Sequence, residues 1–169
     1  AARQYAIDNA NRIKGLGPNS WGMSACISPS TGYSGKYGSF PIGAGYKLLE
    51  DGTVAPYGAL SFLPFTPQAS IEALQHMYEI PGLVGKYGLY DSYSYVTKAK
   101  GNLPWIGKSY LGIDKGLVLL MFENYSTQLI WKLLHQNKSI QKGLKRLAFR
   151  QINSVSYTHL TLPTIGVCR

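Results

Sequence analysis

The sequence has few acidic residues, few cysteines and no long hydrophobic run. Asp and Glu number 8 against 17 Lys and Arg among 169 residues, which gives a formal charge of +9. The basic residues are scattered except for Lys142, Lys145 and Arg146, and a solvated helix face explains that cluster better than nucleic-acid binding does. The longest apolar run, 117–122, is far shorter than the ~20 residues of a membrane span. The sequence therefore predicts neither a nucleic-acid partner nor a membrane span in this chain.

Motifs for phosphate binding, metal binding and serine nucleophiles are also missing. The glycines at 43–45 are too few for a phosphate loop, and no nucleophile elbow is present. The histidines and cysteines lack metal-ligand spacing, and His76 is most simply a histidine of the core or its rim. We therefore expect no cofactor and no metal.

The end of the chain looks foreign to the rest. The string VSYTHLTLPT at 155–164 resembles a translated sequencing adapter. We expect residues 1–153 to form the domain and residues 154–169 to be a non-native tail that packs little against it. Cys168 then has no functional meaning, and Cys26 is a small, unpaired buried residue. The chain opens without Met, as if inside a helix, so a missing N-terminal part is expected and export stays open.

Helical signals occur in four places. A helix is predicted over 2–14, before Gly15 and Gly17. A second begins at Thr66-Pro67, with Thr66 as its cap, and ends before Pro81. A third begins near Asp114, which is predicted to cap it, and its apolar run 117–122 should be enclosed by other elements. The last covers Ile140–Phe149, after a break at Gln136-Asn137.

The stretch from 20 to 58 is rich in Gly, Ser, Tyr and Pro and has no helical period. It contains too many aromatic residues for a solvated linker, and a loop of this length is usually functional. A hairpin is predicted within it, from Tyr46–Leu49 through a turn at Asp51-Gly52 to Thr53–Ala55. The fold class is therefore mainly α with a small β-hairpin, and helices joined by long aromatic loops suggest a helical toroid.

Acids and aromatic side chains are interspersed between 85 and 125. Asp91, Asp114 and Glu123 occur here among Tyr87, Tyr90, Tyr93, Tyr95, Trp105 and Tyr110. Aromatic rings stack on the C–H faces of sugars, and carboxylates bind or activate sugar hydroxyls. The combination favours a sugar-binding surface, although aromatic clusters also form cores and interfaces.

Helix geometry limits which acids can act together. Glycoside hydrolysis generally needs two carboxyl groups, ~5 Å apart for retention or ~6.5–9.5 Å apart for inversion. Asp114 and Glu123 are nine residues apart on one predicted helix, which places them on nearly opposite faces and ~13 Å apart along the axis. Asp91, in a loop, can converge with Asp114 at a helix start. Glu123 is then expected to anchor a loop or an interhelical hydrogen bond.

Four long motifs make the chain resemble a known family. They read SWGMSACISPSTGYSGKYG, EDGTVAPYGALSFLPFTPQASIEALQHMYE, GLVGKYGLYDSYS and WIGKSYLGIDKGLVLLMFENYSTQLIWKLL. Together they resemble the C-terminal part of the glucoamylase-like domain, a family with bacterial endo-β-1,2-glucanases and a domain of cyclic β-1,2-glucan synthases. The similarity covers roughly 11–149. It implies part of an (α/α)6 toroid with a sugar cleft at one end, in a periplasmic or exported bacterial protein.

The resemblance and the aromatic pattern together yield a predicted site. Asp91 and Asp114 are predicted to be catalytic. The predicted substrate-binding residues are Trp21, Tyr87, Tyr90, Trp105, Tyr110, Glu123 and Tyr125. The chain departs from the family at Ile27 and Ser30, where relatives commonly carry acids, and it lacks the relatives' first half.

The predicted function is a glycoside hydrolase or transglycosylase acting on an oligo- or polysaccharide such as β-1,2-glucan. The alternative is a non-catalytic glycan-binding or assembly domain that has kept the aromatic cleft. Paired acids in the upstream sequence would favour the enzyme. The chain alone is expected to be incomplete and inactive, and to aggregate or stay molten.

Overall fold

The computed structural model describes residues 2–35 and 51–150, and every structural statement below refers to them. The predicted strand Tyr46–Leu49 and the C-terminal tail lie outside these ranges. Most regular structure is helical, as predicted. The helices are α1 (Ala2–Asp8), α2 (Pro56–Leu60), α3 (Pro67–Glu79), α4 (Gly112–Ser126), α5 (Leu129–Gln136) and α6 (Lys138–Arg146).

Seven short strands form three small antiparallel sheets. The strands are β1 (Cys26–Ser28), β2 (Gly32–Ser34), β3 (Thr53–Val54), β4 (Val84–Gly85), β5 (Gly88–Leu89), β6 (Ser92–Ser94) and β7 (Trp105–Gly107). β1 pairs with β2 and β4 with β5, while the third sheet has the order β3–β6–β7. The predicted strand at Thr53 is present and pairs with β6, with Val54 opposite Tyr93. The segment that follows Asp91 is therefore the central strand of a sheet.

The core lies where this sheet meets the helices. Tyr93 of β6 is fully buried, and its hydroxyl shares a hydrogen bond of 2.7 Å with Ser20 Oγ. Met77 of α3 and Val54 of β3 belong to the same cluster. Ser70 of α3 donates a hydrogen bond to the carbonyl of Ala59 in α2, which ties these two helices together. The buried cluster thus holds the sheet, and with it the segment around Asp91.

One predicted helix cap is wrong, and a second has the predicted position without the side-chain bond. Leu111 occupies the cap position of α4, without a side-chain cap bond, and Asp114 lies within the first turn. Thr66 is the N-cap residue of α3 as predicted, but its hydroxyl donates to the carbonyl of Phe62 and makes no cap bond. Asp114 is therefore free for another partner. The predicted break before the last helix is correct, and Asn137 caps α6 there.

The apolar run of α4 is not enclosed by the described residues. Val118 and Phe122 pack against the core cluster. Leu119 and Leu120 on other faces are 70% and 45% exposed, and Ile113 near the helix start is 77% exposed. The prediction that this helix is covered on all sides is wrong for this part of the chain.

The chain divides into two compact units, and the second begins at Gln128. In its described part, α5 and α6 pack against each other. Helix α1 is shorter than predicted, because the chain turns after Asp8 and continues through turns to Gly15. None of the described helices combines the length and apolar character needed to cross a bilayer.

Gly22 and Gly58 interlock by their backbones, and this contact yields a stability prediction. A Cβ on Gly22 would lie 2.7 Å from both Ala55 O and Ala59 N, and Gly22 has a φ of +111°. Gly22→Ala should therefore lower the free energy of unfolding by on the order of 2–4 kcal/mol. The matched control is Gly116→Ala in α4, where the Cβ meets open space and should add up to about 1 kcal/mol. Urea denaturation of soluble protein containing this chain measures both, and equal effects would contradict the prediction.

Candidate active site

Asp91 is fixed between β5 and β6 by backbone contacts on two sides. Its own N–H donates to the carbonyl of Ser109 at 3.0 Å. Its Oδ2 accepts a hydrogen bond of 2.6 Å from the N–H of Ile27 in β1. The residue is 4% exposed. The carboxylate is thus held in one orientation by a neighbouring strand.

Ser92, the residue after Asp91, makes a second contact to strand β1. Ser92 Oγ donates a hydrogen bond of 2.5 Å to the carbonyl of Ile27. Both backbone groups of Ile27 are therefore bound by consecutive side chains, Asp91 and Ser92. The hairpin of β1 and β2 is held against β6 through this double contact. Asp91 consequently has a structural role besides any chemical one.

The structure brings Asp91 and Asp114 together, as their predicted convergence requires. Asp114 is 6% exposed, and it lies within hydrogen-bonding reach of Asp91, since the pKa of Asp114 responds both to a hydrogen bond with Asp91 and to its charge. Asp91 Oδ1 and Asp114 Oδ2 are buried, and neither oxygen has a hydrogen-bond donor among the described residues. Two ionised carboxylates cannot form a hydrogen bond with each other because both only accept. A hydrogen bond between them therefore requires that one of the two groups is protonated.

The electrostatics of the pair follow from this arrangement. Burial, the hydrogen bond to Asp91 and the charge of Asp91 raise the pKa of Asp114 to about 6, and Lys115 opposes the rise. A carboxyl group with such a pKa changes protonation state close to neutral pH. Groups of this kind in clefts are candidates for acid–base work.

Lys115 connects the pair to a group of tyrosines. Its ammonium donates a hydrogen bond to the carbonyl of Leu89, two residues before Asp91. The same ammonium lies 5.6 Å from the ring centroid of Tyr110. Burial lowers the pKa of Lys115, while the charges of Asp91 and Asp114 act to raise it.

Tyr87, Tyr90 and Tyr110 form the aromatic surface beside the pair. The rings of Tyr90 and Tyr110 have centroids 4.9 Å apart, and Tyr87 meets Tyr110 edge-on at 5.5 Å. Gly85 lies under these rings, since a Cβ there would be 2.2 Å from the Tyr110 hydroxyl. Tyr87 is 69% exposed. The cluster thus presents aromatic and hydroxyl groups at the surface, next to Lys115.

The other predicted site residues lie elsewhere. Trp21 is in the core at 3% exposure, so its ring is not a surface wall. Trp105 lies in β7, opposite Ser94. Glu123 and Tyr125 are in the last turn of α4, at the end away from Asp114. Glu123 accepts a hydrogen bond from Thr127 Oγ1 just beyond the helix, so it anchors the helix end rather than another helix.

Three residues near the pair were not predicted as part of the site. Lys115 is one. The Cys26 thiol is another, and burial followed by the charges of Asp91, Asp51 and Asp114 raises its pKa. Tyr57 donates to Ser24 Oγ and to the carbonyl of Ala25, and burial with a contribution from Asp114 raises its pKa. For these three residues, the one available sequence signal was the position of Lys115 directly after Asp114 in the motif GIDKG.

Within the described ranges, no group of three His, Cys, Asp or Glu side chains could hold a metal ion.

The pKa of Asp114 yields a prediction for stability. The pKa of Asp114 is about 6 in the folded chain, against 3.8 for an unperturbed Asp side chain. Between these two pH values the folded chain holds a proton that the unfolded chain has released. Stability should therefore fall as pH rises through this window and stay lower above it. Asp114→Asn should flatten the dependence, because its amide donates to Asp91 at every pH.

The measurement is thermal unfolding from about pH 4 to pH 7.5, the range set by these two pKa values. The surface variant Asp8→Asn is the control and should keep the wild-type slope. A wild-type melting temperature that rises through this window, with Asp114→Asn parallel to it, would contradict the shared proton.

Comparison with known proteins identifies the family. The Glycoamylase family profile matches residues 1–138. The chain is 30% identical over 147 residues to an exo-β-1,2-glucooligosaccharide sophorohydrolase (non-reducing end) of Parabacteroides distasonis, covering 86% of this chain and 18% of that protein.

Solved structures agree with this result. An endo-β-1,2-glucanase from Chitinophaga pinensis, in complex with sophorotriose and glucose, matches with a TM-score of 0.69 and 36% identity over 86% of this chain and 32% of that one. A β-1,2-glucanase from Parabacteroides distasonis matches with a TM-score of 0.67 and 30% identity, over 86% of this chain and 19% of that one. The chain thus spans a third or less of these relatives' lengths. It belongs to the Glycoamylase family, the glucoamylase-like family that its four motifs indicate.

Proposed function

We propose that this chain is part of a glycoside hydrolase that acts on β-1,2-linked glucan by carboxylate acid–base chemistry. The observation that carries the proposal is the buried Asp91–Asp114 pair, in which the pKa of Asp114 is raised to about 6, next to Lys115, which contacts Tyr110. The names of the relatives supply the substrate class, since they are β-1,2-glucan hydrolases. Transfer to a sugar acceptor would use the same groups.

The two aspartates have different roles in this proposal. Asp114 is the group that gives and takes the proton, because its raised pKa keeps it partly protonated near pH 6. Asp91 is held by the N–H of Ile27 and accepts the proton of Asp114, so it orients and tunes its partner. The arrangement resembles other carboxyl pairs in which one proton is shared because two adjacent charges are unfavourable.

The closeness of the pair limits the mechanism. Hydrogen-bonded carboxyl oxygens are ~2.5–3 Å apart, whereas two carboxyl groups that flank a glycosidic bond are at least ~5 Å apart. Asp91 and Asp114 therefore act together on one side of the bond. The opposing carboxyl group is proposed to come from a part of the protein outside this chain.

The apolar surface of α4 supports a larger domain. Ile113, Leu117, Leu119 and Leu120 are all exposed, on faces away from Val118 and Phe122. Exposed apolar area of this kind usually marks a contact surface. We propose that upstream helices of the same protein cover it and that residues 1–153 are the C-terminal part of an (α/α)6 toroid.

A glycan-binding domain without catalysis is the second candidate. The exposed ring of Tyr87, in contact with the half-buried Tyr110, would suffice for binding and does not require a titrating carboxyl group. Kinetics of aspartate variants separate the two functions, because a binder has no turnover to lose.

Asp114→Asn should lower turnover of β-1,2-glucan by the full-length protein about 10²-fold or more, because the amide cannot transfer a proton. Asp91→Asn should lower it as well while preserving the contact to Ile27 N–H, since the amide oxygen still accepts. Reducing-sugar release measures both, with Asp8→Asn as the surface control. Wild-type turnover in both variants would exclude the proposed acid–base role, and a wild-type protein that binds the glucan without cleaving it would favour the second candidate.

Leu120→Gln tests the proposed cover over α4. In the full-length protein the polar amide would be buried, so stability should fall by about 2 kcal/mol or more. In the chain alone the same change should leave stability unaltered and reduce aggregation. Tyr78→Gln is the control, because Tyr78 is exposed on α3. This change should alter stability by the same amount in the full-length protein and in the chain alone. Equal unfolding midpoints for Leu120→Gln and wild type in the full-length protein would argue that this face is uncovered.

A further inference from the structure

We propose that Lys115 is a positioning residue of the carboxyl pair, fixed by Leu89 and Tyr110 so that its charge makes the proton of the pair easier to release. The inference rests on the proposed function, because it assigns Lys115 a task in the proton transfer of Asp114. It adds to that function a residue that sets the pH range of the site.

The first argument is the path of the side chain. Lys115 follows Asp114 in the first turn of α4, and its stem reaches back to the carbonyl of Leu89. Leu89 ends β5, and Asp91 comes two residues later. The two residues of α4 thus contact one short segment, Asp114 through the Asp91 carboxyl group and Lys115 through the Leu89 carbonyl. Lys115 therefore fixes the start of α4 against the segment that carries Asp91.

The second argument is the ring above the ammonium. Tyr110 lies 5.6 Å from Lys115 Nζ and also contacts Tyr90 and Tyr87. A cation held at an aromatic ring and a carbonyl loses much of its freedom to turn into solvent. The charge of Lys115 accordingly stays between the carboxyl pair and the tyrosine surface.

The third argument is the local charge balance. A pair with one shared proton carries one negative charge, and Lys115 supplies one positive charge. Asp51 also acts on Cys26, and the pKa values of the Cys26 thiol of β1 and the Tyr57 phenol of α2 respond to the charge of the pair. Burial raises the pKa of both, so both are neutral near pH 7 and Lys115 is the cation that balances the pair. Its removal should make loss of the last proton harder.

Three variants of the full-length protein separate charge from packing. Lys115→Met keeps the apolar stem and removes the charge. Lys115→Gln removes the charge but retains a donor for the Leu89 carbonyl. Lys115→Arg retains the charge. The control is Lys108→Met, because Lys108 is exposed and precedes Ser109 outside the pair.

Two measurements are made on each variant. Carbon-13 NMR of labelled aspartate carboxyl groups follows the titration of the pair without substrate. The pH dependence of kcat/KM on β-1,2-glucan oligosaccharides follows the same groups during turnover. An opposite charge close to a carboxyl group typically lowers its pKa by about 1–3 units, so loss of that charge should raise the pair's apparent pKa by about 1 unit or more.

The expected result is this upward shift in Lys115→Met and Lys115→Gln, and little shift in Lys115→Arg and Lys108→Met. Unchanged titration in both uncharged variants would overturn the role of Lys115, even if the aspartate variants are inactive as proposed. A shift by NMR in a protein whose Asp114→Asn variant keeps full turnover would instead refute the proposed function and leave the electrostatic role intact.

Discussion

The burial of Asp91 and Asp114 close to each other is the constraint on which the rest of the site depends. Two carboxylates in contact and out of water repel each other, and each also loses its hydration. Burial, followed by hydrogen bonding to Asp91 and the charge of Asp91, raises the pKa of Asp114 to about 6, and protonation of one group removes the repulsion. The fold has to bring the two groups together in spite of this cost. Most of the contacts around them contribute to doing so.

Those contacts come from several elements of the first compact unit. Asp91 and Ser92 bind both backbone groups of Ile27, and β6, which begins at Ser92, pairs with β3 and β7. The fully buried Tyr93 holds β6 in the core. Loss of the Asp91 carboxyl group would therefore disturb the β1–β2 hairpin as well as the pair. Replacement of Asp91 or Asp114 by Asn is informative here, because the amide keeps hydrogen-bonding groups of the same shape but cannot titrate.

Local patterns predicted most of the long helices, but not the partners of individual residues. The start of α3 at Pro67 and the break at Asn137 follow from turn and cap chemistry that acts over a few residues. From the sequence alone Asp114 is expected to cap α4, yet the residue that it faces, Asp91, lies 23 residues earlier in the chain. Trp21 stands in a motif that suggests a sugar wall, but its size and apolar surface place it in the core. Such outcomes are decided by tertiary contacts that a local pattern does not contain.

Lys115 is another residue whose partners cannot be predicted from the local sequence. A Lys in the first turn of a helix faces the positive end of the helix dipole, so propensity alone would direct its side chain into water. Here the Leu89 carbonyl and the Tyr110 ring hold the side chain, and the charges of Asp91 and Asp114 act to raise its pKa against the effect of burial. Leu89, Asp91 and Tyr110 are not next to Lys115 in the sequence, although Asp114 is. A locally unfavourable residue held by distant groups is typical of functional sites, and it links the acid pair to the aromatic surface in this chain.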